Sequence, residues 1–148
     1  MQTYNHNKPS QKSQAELSEI LKILPKNHSE FKSTQSARKL IQEKIESIGW
    51  SGKVAISSAS NITISSIKGD IGLCVQTGNV ARYYADIVKL EYLFSEQKIE
   101  NAILFVPTKD FAYKLYSQGG ALTTFERVVA ELDVFKKIIK IPIIVVGI

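Results

Sequence analysis

One short segment in the middle of the chain combines side chains that could bind a metal or an anion. Cys74 and Gln76 are two residues apart, so in a strand they project from the same face. Thr77 and Asn79 follow, and Asn79 is a residue type favoured at helix N-termini, where free backbone N–H groups attract phosphate. Arg82 is unfavourable beside that end of the helix dipole, so either a bound phosphate or solvation alone explains it. We expect Thr77, Asn79 and Arg82 to bind phosphate.

The surrounding residues predict the elements that would position this segment. Alternating apolar residues indicate a strand from Ile71 to Gln76, and Asn79 begins a long helix that runs to about Phe94. The tight turn Lys68-Gly69-Asp70 makes this strand antiparallel to the preceding one. The residues expected on the buried side of the helix are Val80, Tyr84, Ile87, Val88, Leu90 and Phe94.

Hydrophobic periodicity predicts the remaining elements. Further helices are expected from a Ser13–Glu16 capping box to Leu24, over 35–48, over 109–116 and over 123–137. Further strands are expected at Val54–Ile56, Ile62–Ile64, 102–106 and 141–148, with connections at 26–33 and Gly119-Gly120. This order predicts an α/β fold, in which an antiparallel hairpin precedes strand–helix–strand–helix–strand in one mixed β-sheet flanked by helices.

The polar N-terminus and the composition set the domain organisation and the class of partner. Residues 1–12 are polar and contain Pro9, so we expect a disordered tail followed by a single domain over 13–148. The net charge is +5, and residues 1–60 carry nine basic against five acidic side chains. This excess indicates a basic surface, which would serve either nucleic-acid binding or solubility.

Several classes of protein are disfavoured by what the sequence contains. The single cysteine excludes an internal disulfide and a cysteine-based zinc site. No apolar run is long enough to span a bilayer, and the N-terminus lacks the apolar core of a signal peptide. We therefore expect a cytoplasmic protein that does not contact a membrane.

The segment from Val75 to Leu90 resembles the BglII/BstYI group of type II restriction endonucleases, which belong to the PD-(D/E)xK nuclease superfamily. In that group a core strand carries Glu-x-Gln and is followed by a glycine and a similar helix. Two further stretches support the resemblance, Ile103–Lys109 and Phe125–Ile148. The resemblance covers about residues 15–148 and implies a restriction-endonuclease-like fold that binds DNA as a homodimer.

The resemblance also implies a mechanism that this chain departs from. Family members hold Mg²⁺ with two carboxylates on adjacent strands, and the metal activates water beside the scissile phosphate. The family glutamine falls on Gln76, which is retained. The family glutamate falls on Cys74 and the family aspartate falls on Ser65, so both metal-binding acids are absent from their expected places.

Another acid would have to replace them if the chain cleaves DNA. Glu46, aligned with Arg38 and Gln42 on one helix face, could reach the site from the second helix; its simpler interpretation is a solvated side chain. Asp86 and Glu91, further along the helix after Gln76, are expected to be solvated or salt-bridged at the surface. No metal ligand is therefore assigned, and Mg²⁺ is expected only if the chain is active.

Three functions follow from these patterns. The first is a degenerate nuclease domain that binds DNA and is impaired in phosphodiester hydrolysis. The second is an active Mg²⁺-dependent endonuclease with a relocated acid, in which Gln76 and Glu46 are the candidate catalytic residues. The third is a protein-interaction module on a nuclease fold, because a fold does not fix a function.

Overall fold

The computed structural model describes residues 1–25, 33–59, 61–115 and 123–148. Within these ranges the strands are β1 (Gln2–His6), β2 (Val54–Ala55), β3 (Thr63–Ile64), β4 (Ser66–Lys68), β5 (Ile71–Val75), β6 (Asn101–Val106) and β7 (Ile143–Gly147). The helices are α1 (Gln11–Ile23), α2 (Thr34–Ser47), α3 (Val80–Ser95), α4 (Lys109–Leu115) and α5 (Phe125–Phe135). The expected connections at residues 26–32 and at Gly119-Gly120 lie outside the described residues.

Five strands form one mixed sheet in the order β1-β7-β6-β5-β4. β5, β6 and β7 are parallel, whereas β4 is antiparallel to β5 and β1 is antiparallel to β7. β2 and β3 form a separate antiparallel pair. The predicted mixed α/β fold with flanking helices is therefore confirmed.

The two faces of β5 bury different sets of side chains, as the alternation predicts. Ile71, Leu73 and Val75 pack with residues of α1 and α2. Cys74 lies on the opposite face, in the cluster that contains the inward residues of α3 and α5. The central strand is thus covered on both sides, and the residue after its end, Gln76, continues the face of Cys74.

The N-terminal residues differ from the expected disordered tail. Residues 2–6 form β1, which pairs along its whole length with β7. His6 is buried, and its Nε2 lies 3.0 Å from the carbonyl oxygen of Ile139. Pairing satisfies the backbone groups of β7 that would otherwise form a bare sheet edge.

The N-cap of α1 is Ser10, which accepts a hydrogen bond from the Ser13 N–H, so the expected helix start at Ser13 was three residues late.

The expected strand before the turn is divided at Ser65. β3 pairs with β2 outside the main sheet, and β4 pairs with β5 inside it. At the break, the Ser65 backbone N–H donates to the Leu73 carbonyl, and the Ser65 hydroxyl accepts from the Val75 N–H at 3.0 Å. A serine side chain therefore replaces one backbone acceptor of the strand ladder.

The buried face of α3 is rotated relative to the expected one. Its buried residues are Tyr83, Asp86, Ile87, Leu90 and Leu93. Tyr84 and Val88, expected inside, are exposed by 37% and 64%. Ile87 and Leu90 are buried as expected. An offset of one residue turns a helix by about 100°, which is enough to bring Asp86 inside and to leave Tyr84 and Val88 outside. The rotation directs the carboxylate of Asp86 inward.

In the part of the chain described, none of the helices has the length and apolar character that a bilayer crossing requires.

Candidate functional site

The site begins where β5 ends and α3 begins. The Gln76 N–H donates to the Phe105 carbonyl at 2.8 Å, which continues the parallel pairing of β5 with β6 by one residue. Asn79 is the N-cap of α3, and its side-chain oxygen accepts from the Arg82 N–H at 3.2 Å. The expected helix start is confirmed. The side-chain oxygen of Asn79 caps the helix, so its amide N–H₂ group is the part of the side chain that can donate to an anion.

The side chain of Gln76 is buried and held by two hydrogen bonds. Its Oε1 accepts from the Gly78 N–H at 2.9 Å, and its Nε2 donates to Oδ2 of Asp86 at 2.6 Å. The backbone donor on one side and the carboxylate on the other fix the orientation of the amide. Gln76 therefore links the end of the strand to the second turn of the next helix.

Asp86 is the carboxylate that the fold brings to Gln76. It is 8% exposed, and its Oδ1 accepts from Nζ of Lys89 at 2.8 Å. The expectation that Asp86 is a surface residue was wrong, although the salt bridge is present. The reason is the rotation of α3, which turns Asp86 under the strand end instead of into solvent.

Ser65 and Cys74, the two positions to which the resemblance assigns the family's acids, carry no charge. The Ser65 hydroxyl is buried and accepts from the Val75 N–H. Cys74 is 1% exposed in the apolar layer beneath α3. Burial raises the pKa of the Cys74 thiol, and the neighbouring negative charge of Asp86 raises it further. The thiol is therefore protonated at neutral pH.

Glu46 lies beside this region but does not line its cavities. The exposed Glu46 carboxylate accepts from Nε2 of Gln42 at 2.6 Å. The same Nε2 donates to the Ser65 carbonyl at 3.1 Å. Glu46 thus contacts the strand end through Gln42, whereas Asp86 contacts Gln76 directly.

Two adjoining cavities open at the end of the strand. The first, here the Asp86 cavity, has a volume of about 270 Å³ and is lined by Arg38, Thr63, Ser65, Gln76, Arg82, Ala85, Asp86 and Lys89. The second, here the helix-end cavity, has a volume of about 310 Å³ and is lined by Gln35, Arg38, Gln76, Thr77, Gly78 and Arg82. Together they contain three cationic side chains and one carboxylate, which favours an anion over a cation.

The donor set does not fit Mg²⁺. This ion prefers several carboxylate, carbonyl or water oxygens in octahedral geometry. Asp86 is the lone carboxylate of the Asp86 cavity, and both of its oxygens already accept hydrogen bonds. Among the described residues, no three His, Cys, Asp or Glu side chains are grouped in a way that would hold a metal.

The structure thus brings together Gln76, Ser65, Thr77 and Arg82 and leaves Asn79 and Glu46 outside the cavity linings. Sequence reasoning missed Arg38, Asp86 and Lys89 as members of the site. The i, i+3 spacing of Asp86 and Lys89 permits an ion pair, but the pair enters the site only through the rotation of α3. Arg38 reaches it because α2 packs against β5, which no local pattern encodes.

Comparison with known proteins relates this arrangement to a nuclease family. The family model described as restriction endonuclease BglII/BglIII matches residues 3–148. The crystal structure of restriction endonuclease BglII complexed with a DNA 16-mer superposes with a TM-score of 0.77 and 15% sequence identity, over 99% of this chain and 74% of that chain. At this identity, the structural likeness establishes the fold. No curated protein sequence matches the chain significantly.

Proposed function

Because this chain belongs to the restriction endonuclease BglII/BglIII family, we propose that it is a cytoplasmic DNA-binding domain impaired in phosphodiester hydrolysis. The resemblance recognised in the sequence is confirmed by the family match and by the fold. The matched crystal structure is of an endonuclease bound to DNA, which supports DNA as the partner of this chain.

The observation that carries the proposal is the charge around Gln76. Arg38, Arg82 and Lys89 line the cavities at this point, and the single carboxylate, Asp86, is already paired with Lys89. Neither neutral side chain, Ser65 or Cys74, adds a negative charge to attract Mg²⁺. The site therefore retains affinity for a phosphate and lacks the pair of acids that metal-assisted cleavage needs.

Two measurements on the intact chain test this function. Fluorescence anisotropy with a labelled duplex should show binding at low salt, and this binding should weaken steeply as salt rises. Supercoiled plasmid incubated with Mg²⁺ or Mn²⁺ should remain supercoiled. Binding that is absent at low salt contradicts the DNA-binding function, and metal-dependent nicking contradicts the impaired site.

One observation favours a second function, an active endonuclease with a relocated acid. Asp86 lies 2.6 Å from the amide of Gln76, so it is better placed than Glu46 to act beside the scissile phosphate. If plasmid is nicked, Asp86→Asn should abolish nicking and Glu46→Gln should retain it. Nicking lost only in Glu46→Gln would identify Glu46 as the acid instead.

We also propose that the chain forms a homodimer through the outer face of α3. Tyr84, Val88 and Tyr92 repeat every four residues on this face and are exposed, and Phe135 stands edge-on to the ring of Tyr84. An exposed apolar strip of this kind is typical of a protein interface. Light scattering should give twice the mass of one chain for the wild type and the mass of a single chain for Val88→Asp. If DNA binding is absent, the same strip favours the protein-interaction module.

A further inference from the structure

The helix-end cavity lies between the first turns of two helices. α2 begins at Thr34 and contributes Gln35 and Arg38, while α3 begins at Val80 and contributes Arg82. Each helix N-terminus carries a partial positive charge and free backbone N–H groups. No carboxylate lines this cavity. Both helix ends and both arginines therefore favour a negatively charged occupant.

Thr77 provides an independent sign of a ligand in this cavity. It is 7% exposed and lines the cavity, yet its hydroxyl makes no hydrogen bond within the part of the chain that the structure describes. As a hydroxyl in the cavity wall, it can donate to a negatively charged ligand in the cavity. A phosphate oxygen would accept from it.

Gly78 leaves room for the side chains of Gln76 and Arg82 at the cavity edge. A Cβ built at this position would lie 2.9 Å from Oε1 of Gln76 and 3.2 Å from Cδ of Arg82. Any larger residue would displace the arginine or the glutamine. The side chain of Arg82 thus passes directly over the glycine at the cavity edge.

A third cavity continues along α2. It has a volume of about 340 Å³ and is lined by Gln35, Arg38, Lys39, Gln42, Glu43 and Lys53. Arg38 lines this cavity, the helix-end cavity and the Asp86 cavity, so the three form one groove. The groove crosses from the start of α3 to the loop that holds Lys53.

The cations of this groove are weakly compensated. Lys39 makes only a 3.7 Å contact with the exposed Glu43, and Arg38, Arg82 and Lys53 have no ion pair with another described residue. By contrast, Lys68 on the neighbouring strand is paired with Glu16 at 2.8 Å. Unpaired cations that line one groove favour a chain of phosphates over a single small anion.

We propose that one DNA strand lies along α2, with one phosphate held by Arg38, Thr77 and Arg82 in the helix-end cavity and a neighbouring phosphate beside Lys39 and Lys53. This inference rests on the proposed DNA-binding function and names the surface that performs it. Neither phosphate site involves a metal, and the helix-end cavity has no carboxylate in its lining. The cavity beside Lys39 and Lys53 is also lined by the exposed Glu43. Contacts to phosphates position a duplex without reading its bases, so this surface should bind different sequences alike.

Salt dependence of DNA binding by the full chain tests the proposal. Each lost phosphate contact should reduce the slope of log K against log salt by about 0.9 for a duplex. Arg38→Ala should reduce the slope by about the value for one phosphate contact. The double variant Lys39→Ala with Lys53→Ala should reduce the slope by up to about the value for two contacts. Lys137→Ala, an exposed lysine outside the groove, is the matched control and should leave the slope unchanged.

The helix-end site is tested separately with inorganic phosphate. Addition of phosphate should shift the amide NMR signals of Thr77 and Gly78, and the shifts should vanish in Arg38→Ala with Arg82→Ala. Thr77→Val should weaken phosphate binding while preserving the amide dispersion of a folded protein. If wild type binds DNA but the groove variants have the same salt slope as Lys137→Ala, the proposed path of the DNA strand along α2 is wrong and the DNA-binding function stands. If wild type does not bind DNA at low salt, both the DNA-binding function and the proposed path of the strand along α2 are wrong.

Discussion

The amide of Gln76 donates a 2.6 Å hydrogen bond to the buried carboxylate of Asp86, ten residues further along the chain. The other oxygen of this carboxylate accepts from Lys89. Gln76, on which the family glutamine falls by resemblance, is thereby part of a polar network with Asp86 and Lys89. The same network neutralises Asp86 and leaves the charges of Arg38 and Arg82 for a phosphate.

Asp86→Asn should lower stability and strengthen DNA binding. The substitution leaves the largely buried amine of Lys89 without its partner, which should cost about 1–3 kcal/mol in the free energy of unfolding. It also removes the negative charge from the cavity, so the DNA dissociation constant should fall at low salt. Urea unfolding and anisotropy measure the two effects.

Lys89→Met is the informative comparison for this prediction. Lys89→Met should also lower stability, because it leaves the carboxylate of Asp86 without its ion-pair partner. In contrast to Asp86→Asn, it should weaken DNA binding. If both variants change affinity in the same direction, the charge of the cavity does not control binding.

The thiol of Cys74 should be unreactive in the folded protein. Burial in the apolar layer beneath α3, aided by the charge of Asp86, raises its pKa, so the reactive thiolate is scarce at neutral pH. A colorimetric thiol reagent should give almost no signal at pH 8 and one thiol per chain in denaturant. Rapid native labelling would show that the strand end opens.

Acids introduced at the two positions that the resemblance assigns to metal-binding carboxylates should create a metal site. Ser65→Asp with Cys74→Glu places two carboxylates on adjacent strand ends beside Gln76. We expect Mg²⁺ to raise the melting temperature of this variant, because a ligand that binds only the folded state stabilises it. Calorimetry with and without Mg²⁺ measures the shift.

The control for this design is the uncharged pair Ser65→Asn with Cys74→Gln, which has nearly the same shape. It should unfold at the same temperature with or without Mg²⁺. An equal response of the two variants would mean that the metal binds elsewhere. The acidic variant should itself be less stable than wild type, because Cys74 lies in an apolar core.

Gly72→Ala should destabilise the fold without touching the site. A Cβ there would lie 2.8 Å from Cδ1 of Ile99 and 3.0 Å from Cδ2 of Leu90 on the inner face of α3, and both side chains are buried. Overpacking of this kind costs about 1–3 kcal/mol in the free energy of unfolding. Gly52→Ala is the matched control, since its nearest contact is an ordinary 3.6 Å to Oε1 of Glu46. Chemical denaturation should separate the two variants clearly.

Local rules were sufficient for the central strand, the turn before it and the start of α3. Alternation alone places Cys74 and Gln76 on one face of β5, because successive side chains of a strand must project oppositely. Asn79 begins α3 because its side chain satisfies a backbone N–H that the helix itself leaves free. Gly69 forms the turn, with a positive φ of 58° that glycine adopts readily. The family motif is carried by these same residues, so the sequence was enough to recognise it.

Contacts between distant segments decided which face of α3 is buried, whether residues 2–6 form a strand, and which charged side chains reach the strand end. α3 is apolar on more than one side, so its periodicity does not choose which face packs against the sheet, and only packing turned Asp86 inward and Val88 outward. β1 became a strand because β7 offered an unpaired edge, and the two strands pair although Gln2 and its partner Gly147 are 145 residues apart in the chain. Arg38 joins the groove for the same kind of reason, since α2 meets the strand end only in the folded chain. The sequence by itself determined that uncharged residues, Ser65 and Cys74, stand near Gln76. The tertiary structure decided which charges surround them, because only packing brings Arg38, Asp86 and Lys89 to the strand end.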